Sequence, residues 1–455
     1  MTALALLYQF EPHYYFRILL FSGIEPFSYP FLDFSILTSV DCLQRGVDVY
    51  VSNPCDVLAR PYNYPPLWLR FVFLPGKEWS NLFGLCLAIL FFLALALLPP
   101  PRTGKELTLR LVATLSPVTA YAVERANIDL LMFVIATSAG VLLLGPLRRR
   151  VAAYALIVIA GLLKIYPLVL LVLTLRERPR MFLWVNAIAA AVVVASGLYF
   201  YAELIKMLRN LPESWTLSDS FGARLIPDLI AERVDWTMHR GLVMVGLVKI
   251  ATFAVLFFAM AGWFFRIVRW SNFRFALARL PEPEKIYLVI GATLIGGCFF
   301  AGSSIGYRGI HLLFTLPGLL AMARMKDDLL VRRAAKLGCV LVVALTWVGF
   351  FTWQAGSAEA LFPQILTALI GSTFGIRLTH FLWFLSEIAW WQIVTLFVAI
   401  VIGCCSNWFE ALPEWGRLLR RGEGNANQIN RNALCNISTA GFFGDRGRSQ
   451  QHHEN

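Results

Sequence analysis

The stretch SNLFGLCLAILFFLALALLPPP, Ser80–Pro101, contains no charged residue and is long enough to cross a lipid bilayer as a helix. Further runs of this kind are Met181–Ala202, Ile286–Tyr307, Leu337–Ala358 and Ile388–Phe409. The chain has 455 residues, of which 58% are hydrophobic and 15% are charged, so a soluble fold would leave much apolar surface in water. Because a bilayer forces the backbone to satisfy its own hydrogen bonds, we predict an all-α polytopic membrane protein.

Basic residues gather in the short connections between the apolar runs. These connections are Pro101–Arg110, Leu147–Arg150, Arg176–Arg180, Arg266–Arg279 and Arg324–Lys336. Lys and Arg in short loops mark the cytoplasmic side of a membrane protein, so they account for the net charge of +12 without nucleic-acid binding. We predict a multi-pass protein of the plasma (inner) membrane with both termini in the cytoplasm.

The alternation of apolar runs and basic connections divides the chain into a membrane domain, residues 1–413, and a tail, residues 414–455. The domain is predicted to contain about ten transmembrane helices, of which the first, within residues 1–31, is the least apolar. Residues 32–78 would be the first extracytoplasmic loop and residues 203–239 a large outer loop. The tail is rich in Gly, Asn, Arg and Gln, a composition typical of a disordered segment.

The segment Val151–Leu175 does not fit this alternation of sides. Both of its ends are basic, yet it is too short for two spans of roughly 20 residues each. Its centre, LLKIYPL, contains Lys164 and the helix-breaking Pro167. We therefore predict a re-entrant hairpin of two short half-helices that turns at Lys164–Pro167. Because broken helices at membrane depth need protein or a water-filled cavity around them, a cavity is expected at Lys164.

The stretch ARPYNYPPLWLRF, Ala59–Phe71, lies in the predicted first outer loop. Its adjacent prolines, Pro65 and Pro66, fix φ and remove two backbone donors, so the Tyr-x-Tyr-Pro-Pro step should form neither a regular helix nor a strand. It could be a stiff loop and nothing more. Cys42 and Cys55 lie in the same loop, and both a disulfide and two free thiols remain open for them.

Polar and ionisable residues accumulate at the predicted outer ends of separate segments. They are Asp33, Asp41, Asp48, Tyr50 and Asp56 in the first outer loop, Glu124, Arg125, Asn127 and Asp129 at the next outer turn, Lys164 and Tyr166 at the hairpin tip, and Tyr307, Arg308 and His311 at the end of a later span. Ionisable residues at membrane depth are costly and usually serve a site or a partner. Their joint placement predicts one wet cleft for an anionic, partly lipidic ligand.

Each of these residues also has a purely structural interpretation. Asp33 could start a juxtamembrane helix, and Asn127 could cap a helix that begins NIDLLMF. Lys164 could extend its amine to the head groups, and Arg308 could bind lipid phosphate without specificity. Taken singly, most of them fit these alternatives; the prediction of a site depends on their occurring together.

The first outer loop resembles that of a known enzyme superfamily. The order Asp33-Phe34, Gly46, Tyr50 and PYNYPPLW (Pro61–Trp68) is similar to the first outer loop of the glycosyltransferase-C superfamily. The likeness is greatest to family 87, the polyprenyl-phosphate-sugar-dependent mannosyltransferases and arabinofuranosyltransferases. That family has an aspartate just after its first span, a Gly-x-x-x-Tyr, and a Tyr-Pro-Pro step into the second span.

Three downstream segments extend the resemblance. ERANIDLLMF (Glu124–Phe133) is similar to the family's Gly-Asn-x-Asp helix start, with Arg125-Ala126 where a glycine is usual. AGLLKIYPLVLL (Ala160–Leu171) resembles its Lys-x-Tyr-Pro hairpin, and GYRGIHLLFTLPGLL (Gly306–Leu320) resembles its Tyr-Arg segment. NPCD (Asn53–Asp56) departs from the family pattern.

The resemblance implies a membrane enzyme that moves a sugar from a polyprenyl-phosphate donor to an envelope glycan or glycolipid acceptor, at the extracytoplasmic face and with inversion. Such a hexosyl- or pentosyltransferase would use no cofactor, and no metal ion is expected because no Asp-x-Asp motif occurs in the loop. Asp33 would be the general base for the acceptor hydroxyl. Lys164 and Arg308 would bind the donor phosphate as it leaves.

The remaining polar and aromatic residues of the matching segments would bind substrate. They are Tyr62, Tyr64, Trp68, Asn127, Asp129, Tyr166, Tyr307 and His311. The proline step would hold the loop aromatics as rigid walls beside the sugar and the lipid, because aromatic faces stack on sugar rings and suit the membrane interface.

Other classes of membrane protein stay open at this point. A transporter or flippase of lipid-linked glycan would also have an outward cleft, but it should show an internal repeat, and the hairpin motif has no counterpart in residues 240–405. A polysaccharide polymerase or ligase would use arginines of a large late outer loop, where Arg224 and Arg233 occur. A protein without chemistry would leave the gathered polar residues unexplained.

Overall fold

The computed structural model is largely helical. It describes residues 8, 10–24, 30–71, 79–211, 216–217, 220–238, 242–270, 272–301, 304–326, 328–356 and 372–411. The predicted tail, residues 414–455, lies outside the described residues, as do parts of both predicted outer loops and of the first span.

The described helices follow one another with short connections. The α-helices are α1 (Pro12–Phe21), α2 (Ser39–Gln44), α3 (Ser80–Ala96), α4 (Gly104–Thr114), α5 (Pro117–Glu124), α6 (Ile128–Leu143), α7 (Leu147–Leu163), α8 (Pro179–Tyr199), α9 (Tyr201–Arg209), α10 (Leu225–Met238), α11 (Leu242–Trp270), α12 (Phe273–Ala278), α13 (Glu282–Phe300), α14 (Leu316–Ala323), α15 (Leu329–Gly356) and α16 (Ser372–Ala411). Four 3₁₀ helices lie between them: Leu32–Thr38, Pro66–Arg70, Tyr166–Arg176 and Gly306–Phe314.

Among the described residues, five helices are long and apolar enough to cross a membrane, or six if the bent pair α5–α6 is one span. The five are Pro179–Tyr199, Val243–Arg269, Glu282–Phe300, Leu329–Thr352 and Arg377–Ala411. The chain is therefore a helical protein with the multi-pass character predicted from its apolar runs, while the finer count of about ten spans stays a prediction. The run that starts at Ser80 forms the shorter helix α3, which ends at Ala96, before three consecutive prolines.

The core of the bundle is formed by α13 and α16, whose membrane-length windows are 67% and 61% buried. The windows of α8 and α11 are 6% and 0% buried, so these two helices have almost no fully buried side chains and expose many apolar ones. In a bilayer such side chains contact lipid, which explains why large exposed hydrophobic residues are frequent in this chain.

Helices α5 and α6 meet at an angle of 108° across Arg125–Asn127. Ala126 has φ +46°, in the left-handed region that residues other than glycine rarely adopt. This is the position where the family pattern has a glycine. Asn127 then caps α6, because its side-chain oxygen accepts a hydrogen bond of 2.9 Å from the backbone N–H of Asp129. The predicted outer turn is thus a sharp, capped break between two helices.

In the region of the predicted hairpin, α7 and the 3₁₀ helix Tyr166–Arg176 form two packed arms, while their re-entry into a membrane stays a prediction. Lys164 ends α7 in an extended conformation, with φ −157° and ψ 111°. The arms approach so closely that a Cβ on Gly161 would lie 2.2 Å from Leu168. The second arm, predicted as a short half-helix, is a 3₁₀ helix.

The open end of the hairpin is closed by polar contacts. The carboxylate of Glu177 is 2.9 Å from Nε of Arg150 and accepts a hydrogen bond of 2.9 Å from the hydroxyl of Tyr154. Because the side chain of Glu177 is only 4% exposed, these contacts are shielded from water and fix the arms at the end opposite Lys164.

Two two-residue strands attach an outer loop to the bundle. β1 (Ser220–Phe221) pairs antiparallel with β2 (Ser304–Ile305), which directly precedes the 3₁₀ helix Gly306–Phe314. The ring of Phe221 stacks on Trp390 of α16 with centroids 4.0 Å apart. This contact holds the start of the segment that contains Tyr307, Arg308 and His311 against the core.

The predicted first outer loop packs against the tip of the hairpin. A disulfide joins Cys42 and Cys55, which resolves the alternative left open by the sequence. The proline step is irregular up to Pro65, but a 3₁₀ helix begins at Pro66, where a missing N–H costs nothing. Trp68 of that helix donates a hydrogen bond of 2.9 Å from Nε1 to the carbonyl oxygen of Leu163.

We predict that Glu177→Ala lowers the free energy of unfolding by about 2–3 kcal/mol, because it leaves Arg150 and Tyr154 without their buried acceptor. A fall in the Tm of the detergent-solubilised protein would measure the change. Glu282→Ala is the matched control: that carboxylate is 40% exposed and pairs with Arg176 and Lys285, so its loss should cost less than about 1 kcal/mol. Equal losses in the two variants would contradict a special role for the closed hairpin end.

Candidate functional site

The buried carboxylate of Asp129, in the first turn of α6, is the centre of a polar cluster. Lys164 Nζ lies 2.8 Å from its Oδ1, and the hydroxyl of Tyr166 donates a hydrogen bond of 2.7 Å to the same oxygen. Arg308 Nε lies 3.6 Å from Oδ2, an ion-pair distance that is too long for a hydrogen bond. The fold therefore brings together residues from the helix break, the hairpin tip and the 3₁₀ helix Gly306–Phe314.

Asn127 joins this cluster to Asp33. Its Nδ2 donates a hydrogen bond of 2.8 Å to Oδ2 of Asp33, while its Oδ1 accepts from the backbone of Asp129. The capping role of Asn127 is thus confirmed, and the other end of the same amide contacts Asp33, while substrate binding by Asn127 stays a prediction. The backbone N–H of Asp33 also donates a hydrogen bond of 3.0 Å to the carbonyl oxygen of Arg125. Asp33 therefore contacts the helix break through its backbone as well as through its side chain.

The other oxygen of Asp33 faces Arg60, which was not predicted to belong to the site, and Arg125 of the predicted cleft. Nη1 of Arg60 donates a hydrogen bond of 3.2 Å to Oδ1, and Nη1 of Arg125 lies 3.9 Å from it. Burial by itself would lower the pKa of Arg60, but its hydrogen bonds to Asp56 and the charges of Asp33 and Asp56 raise that pKa further above its usual value. Arg60 therefore stays charged. No sequence signal pointed to it, because an i, i+4 acid–base spacing is informative only on a helix.

A second buried acid extends the network towards the N-terminal helix. Glu124 accepts a hydrogen bond of 2.8 Å from the hydroxyl of Tyr15 in α1, and its Oε2 lies 3.4 Å from Nε of Arg125. The guanidinium of Arg125 also lies over the ring of Tyr121, 5.0 Å from its centroid. These contacts hold the helix break, and with it Asn127, in place.

Aromatic rings cover the cations of the cluster. Lys164 Nζ lies 5.6 Å from the ring centroid of Tyr64 and 5.9 Å from that of Tyr166, within the range of cation–π attraction. Arg308 lies 5.6 Å from the ring of Tyr166. Burial, and then the charge of Asp33, raise the pKa of Tyr64 well above its usual value, so its hydroxyl keeps its proton. The ring of Tyr307 lies 5.7 Å from that of Tyr121, beside the cluster.

Two of the predicted substrate-binding aromatics, Tyr62 and Trp68, stabilise the segments that carry the site. Tyr62 is fully buried, packs against Tyr50 and Tyr64, and places its hydroxyl 3.5 Å from the carbonyl oxygen of Pro65. Trp68 bonds the hairpin backbone, as described above. Their contacts stabilise the loop and the hairpin tip, and direct contact with a substrate stays a prediction for both.

His311 is also buried and acts on the cluster through a neighbour. Its Nε2 lies 2.7 Å from the hydroxyl of Tyr166, and its ring is parallel to those of Phe133 and Phe314. Since that hydroxyl donates to Asp129, the imidazole orients Tyr166 by donating to it from Nε2. Among the described residues, Nδ1 of His311 has no hydrogen-bond partner.

The cluster reaches solvent on the side of its cations. The side chains of Asp129, Asp33 and Lys164 are 0%, 9% and 10% exposed, whereas those of Arg308 and Arg60 are 26% and 32% exposed. An anion that enters from solvent would meet guanidinium groups first. In the part of the chain that the structure describes, no group of three or more His, Cys, Asp or Glu side chains has the arrangement of a metal site.

Comparisons with protein-family models, with curated proteins and with solved structures find no match for this chain, so the likeness to glycosyltransferase family 87 depends on the quoted motifs alone.

Proposed function

We propose that this protein is an integral-membrane glycosyltransferase that moves a sugar from a polyprenyl-phosphate donor to an envelope glycan or glycolipid acceptor on the extracytoplasmic side. One observation carries the proposal: Lys164 and Arg308, far apart in sequence, converge on the carboxylate of Asp129, and Asn127 links that carboxylate to Asp33. A base near a pair of cations is what attack on a phosphate-activated sugar requires.

Asp33 is the better base of the two linked aspartates. Asp129 is fully buried, and Lys164, Tyr166 and Arg308 surround its oxygens. Asp33 is 9% exposed, and a carboxylate oxygen with one bonded neighbour keeps a lone pair for a further donor. In the proposed reaction Asp33 takes the proton of the acceptor hydroxyl as its oxygen attacks the anomeric carbon, and the C–O bond to phosphate breaks on the opposite face. Direct displacement of this kind inverts the anomeric centre.

Lys164 and Arg308 suit the leaving phosphate. Two cations share the single negative charge of Asp129, so the group has an excess positive charge. The Nε of Arg308 is buried and faces Asp129, and its Nη1 donates to the hydroxyl of Ser304 at 2.8 Å, while the side chain as a whole is 26% exposed. The exposed part of such a guanidinium can bind a phosphate oxygen and stabilise the charge that develops there.

The disulfide supports the proposed side of the membrane. Cys42 and Cys55 belong to the loop that also supplies Asp33 and Arg60, and disulfides persist in oxidising compartments outside the cytoplasm. This agrees with the orientation predicted from the basic loops. The finer topology, with about ten spans and both termini in the cytoplasm, belongs to this proposal.

The polymerase or ligase interpretation has less support. Arg224 has a side chain that is 68% exposed, and its nearest acid is Asp228, with Nε and Oδ2 4.0 Å apart. Among the described contacts, neither Arg224 nor Asp228 contacts the Asp129 cluster. A site for a lipid diphosphate built on this loop would need the loop to move.

We predict that Asp33→Asn lowers kcat for sugar transfer by about 10²- to 10⁴-fold, because the amide cannot accept the acceptor proton. The KM for the donor should change little. The measurement uses purified protein in liposomes and a panel of radiolabelled polyprenyl-phosphate sugars, including polyprenyl-phosphate mannose.

Asp41→Asn is the matched control for this prediction. Asp41 is in α2 of the same loop and is only half-buried, so its variant should transfer sugar at the wild-type rate. Full activity in the Asp33 variant would exclude Asp33 as the base, and no consumption of any donor by the wild type would refute the proposed function.

We also predict that Arg308→Ala raises the KM for the polyprenyl-phosphate donor by about 10- to 100-fold, since a charge-assisted hydrogen bond contributes about 1.5–3 kcal/mol. Arg308→Lys should recover part of the loss, because an amine keeps the charge without the planar fork. Donor titrations of the initial rate would give both values.

Arg224→Ala is the control for the arginine experiment and also tests the ligase alternative. We expect wild-type donor affinity from it. A large loss in the Arg224 variant together with an unchanged Arg308 variant would move the phosphate site to the later outer loop.

A further inference from the structure

The NPCD segment, Asn53–Asp56, departs from the pattern of glycosyltransferase family 87. Apart from the disulfide of Cys55, it has none of the roles proposed above. In the structure every polar side chain of this segment holds the loop in place. Nδ2 of Asn53 donates hydrogen bonds to the hydroxyl of Ser39 at 2.9 Å and to the backbone carbonyl of Arg60 at 3.2 Å. Cys55 forms the disulfide, and Asp56 binds Arg60.

Asp56 fixes the guanidinium of Arg60 in one orientation. Its Oδ2 accepts from Nε at 3.0 Å, and its Oδ1 accepts from Nη2 at 3.0 Å. Oδ2 also accepts from the backbone N–H of Arg60 at 2.9 Å. A planar guanidinium held by two parallel hydrogen bonds cannot rotate freely, and here the acceptor side chain is fully buried.

The remaining edge of this guanidinium faces Asp33. Nη1 of Arg60 bonds Oδ1 of Asp33 at 3.2 Å, while Asn127 bonds Oδ2 from the other side. The two contacts together determine the rotation of the carboxylate about its Cβ–Cγ bond. In the described residues, all side-chain hydrogen bonds of Arg60 go to Asp56 and Asp33.

We propose that Arg60, held by Asp56 of the NPCD segment, is a positioning residue that orients Asp33 for the reaction. This inference rests on the proposed function, because it gives Arg60 a role through the assigned base. Arg60 is distinct from Lys164 and Arg308, which contact Asp129.

The alternative is that Arg60 only neutralises the buried Asp56 and so stabilises the loop. Kinetics separate the two roles. A stabilising residue would change the amount of folded protein, whereas a positioning residue changes kcat and the pH dependence of the folded enzyme.

The experiment compares Arg60→Ala and Arg60→Lys with the wild type, using full-length protein in liposomes and the labelled polyprenyl-phosphate sugar that the wild type consumes. We expect kcat to fall by about 10- to 100-fold in Arg60→Ala, since misplacement of a reacting group by about 1 Å has a cost of this size. The KM for the donor should stay within about threefold, because the phosphate-binding cations are untouched.

The pH profile and chemical rescue provide readouts that a stabilising role would leave unchanged. The acidic limb of the kcat profile should move to higher pH in Arg60→Ala, because this variant removes a positive charge that lies 3.2 Å from the assigned base. Added guanidinium ion should restore part of kcat in Arg60→Ala and have no such effect on the wild type. Arg60→Lys should be intermediate, because an amine cannot form the fork to Asp56 and also reach Asp33.

Arg70→Ala is the matched control. Arg70 lies in the same loop with a side chain that is 49% exposed, and it pairs with Glu203 at 3.3 Å. Its variant should keep kcat, the pH profile and insensitivity to guanidinium. If Arg60→Ala does not fold, the near-isosteric Asp56→Asn should give a smaller fall in kcat with the same displaced acidic limb.

Two results would overturn the inference: wild-type kcat and pH profile in a folded Arg60 variant, or unchanged kinetics in a folded Asp56→Asn. Failure of the proposed function looks different, because the wild type would then consume no labelled donor, whereas an active Asp33→Asn would exclude Asp33 as the base. An inactive Asp33→Asn together with a fully active Arg60→Ala would remove only the role of Arg60.

Discussion

The ion pairs of Asp129 are the constraint on which the rest of this structure depends. A carboxylate with no exposure to solvent is very costly unless cations and hydrogen-bond donors surround it. Lys164 and Tyr166 of the hairpin tip and Arg308 of the late 3₁₀ helix meet that need. The helix break, the hairpin tip and the late 3₁₀ helix must therefore stay together, since separating any of them would leave a charge uncompensated in an apolar bundle.

This requirement explains the irregular backbone around the site. A continuous α5–α6 helix would direct the start of α6 away from the hairpin, whereas the 108° bend at Ala126 places Asn127 and Asp129 at the junction. The hairpin likewise interrupts its helix at Lys164, where the amine turns towards Asp129. Breaks of this kind persist in membrane proteins where neighbouring groups satisfy the freed backbone, and here Trp68 does so for the carbonyl oxygen at the end of α7.

The proposed chemistry uses the same charges that stabilise the fold. Lys164 and Arg308 share one anion in the free protein, so a phosphate could join them without a new counter-ion. Asp33 lies one amide away and is held by Arg60 on its solvent side. One cluster can therefore contain both the ion pairs that stabilise the fold and the groups proposed for the reaction. This is common where ionisable residues are buried at functional sites.

The sequence by itself determined the class of protein, the hairpin, the outer turn and most members of the cluster. Apolar run lengths, a lysine and a proline inside a short span, and ionisable residues at membrane depth are local features with direct energetic meaning. The sequence could not give the partners of Asp33. Arg60 looks like an ordinary loop arginine, and Arg125 was expected in the cleft without a partner; only the folded chain brings both to that carboxylate. The 3₁₀ form of the second hairpin arm was also not evident from the sequence. Pairings between distant segments depend on how the whole bundle packs, and that is why tertiary structure alone decided them.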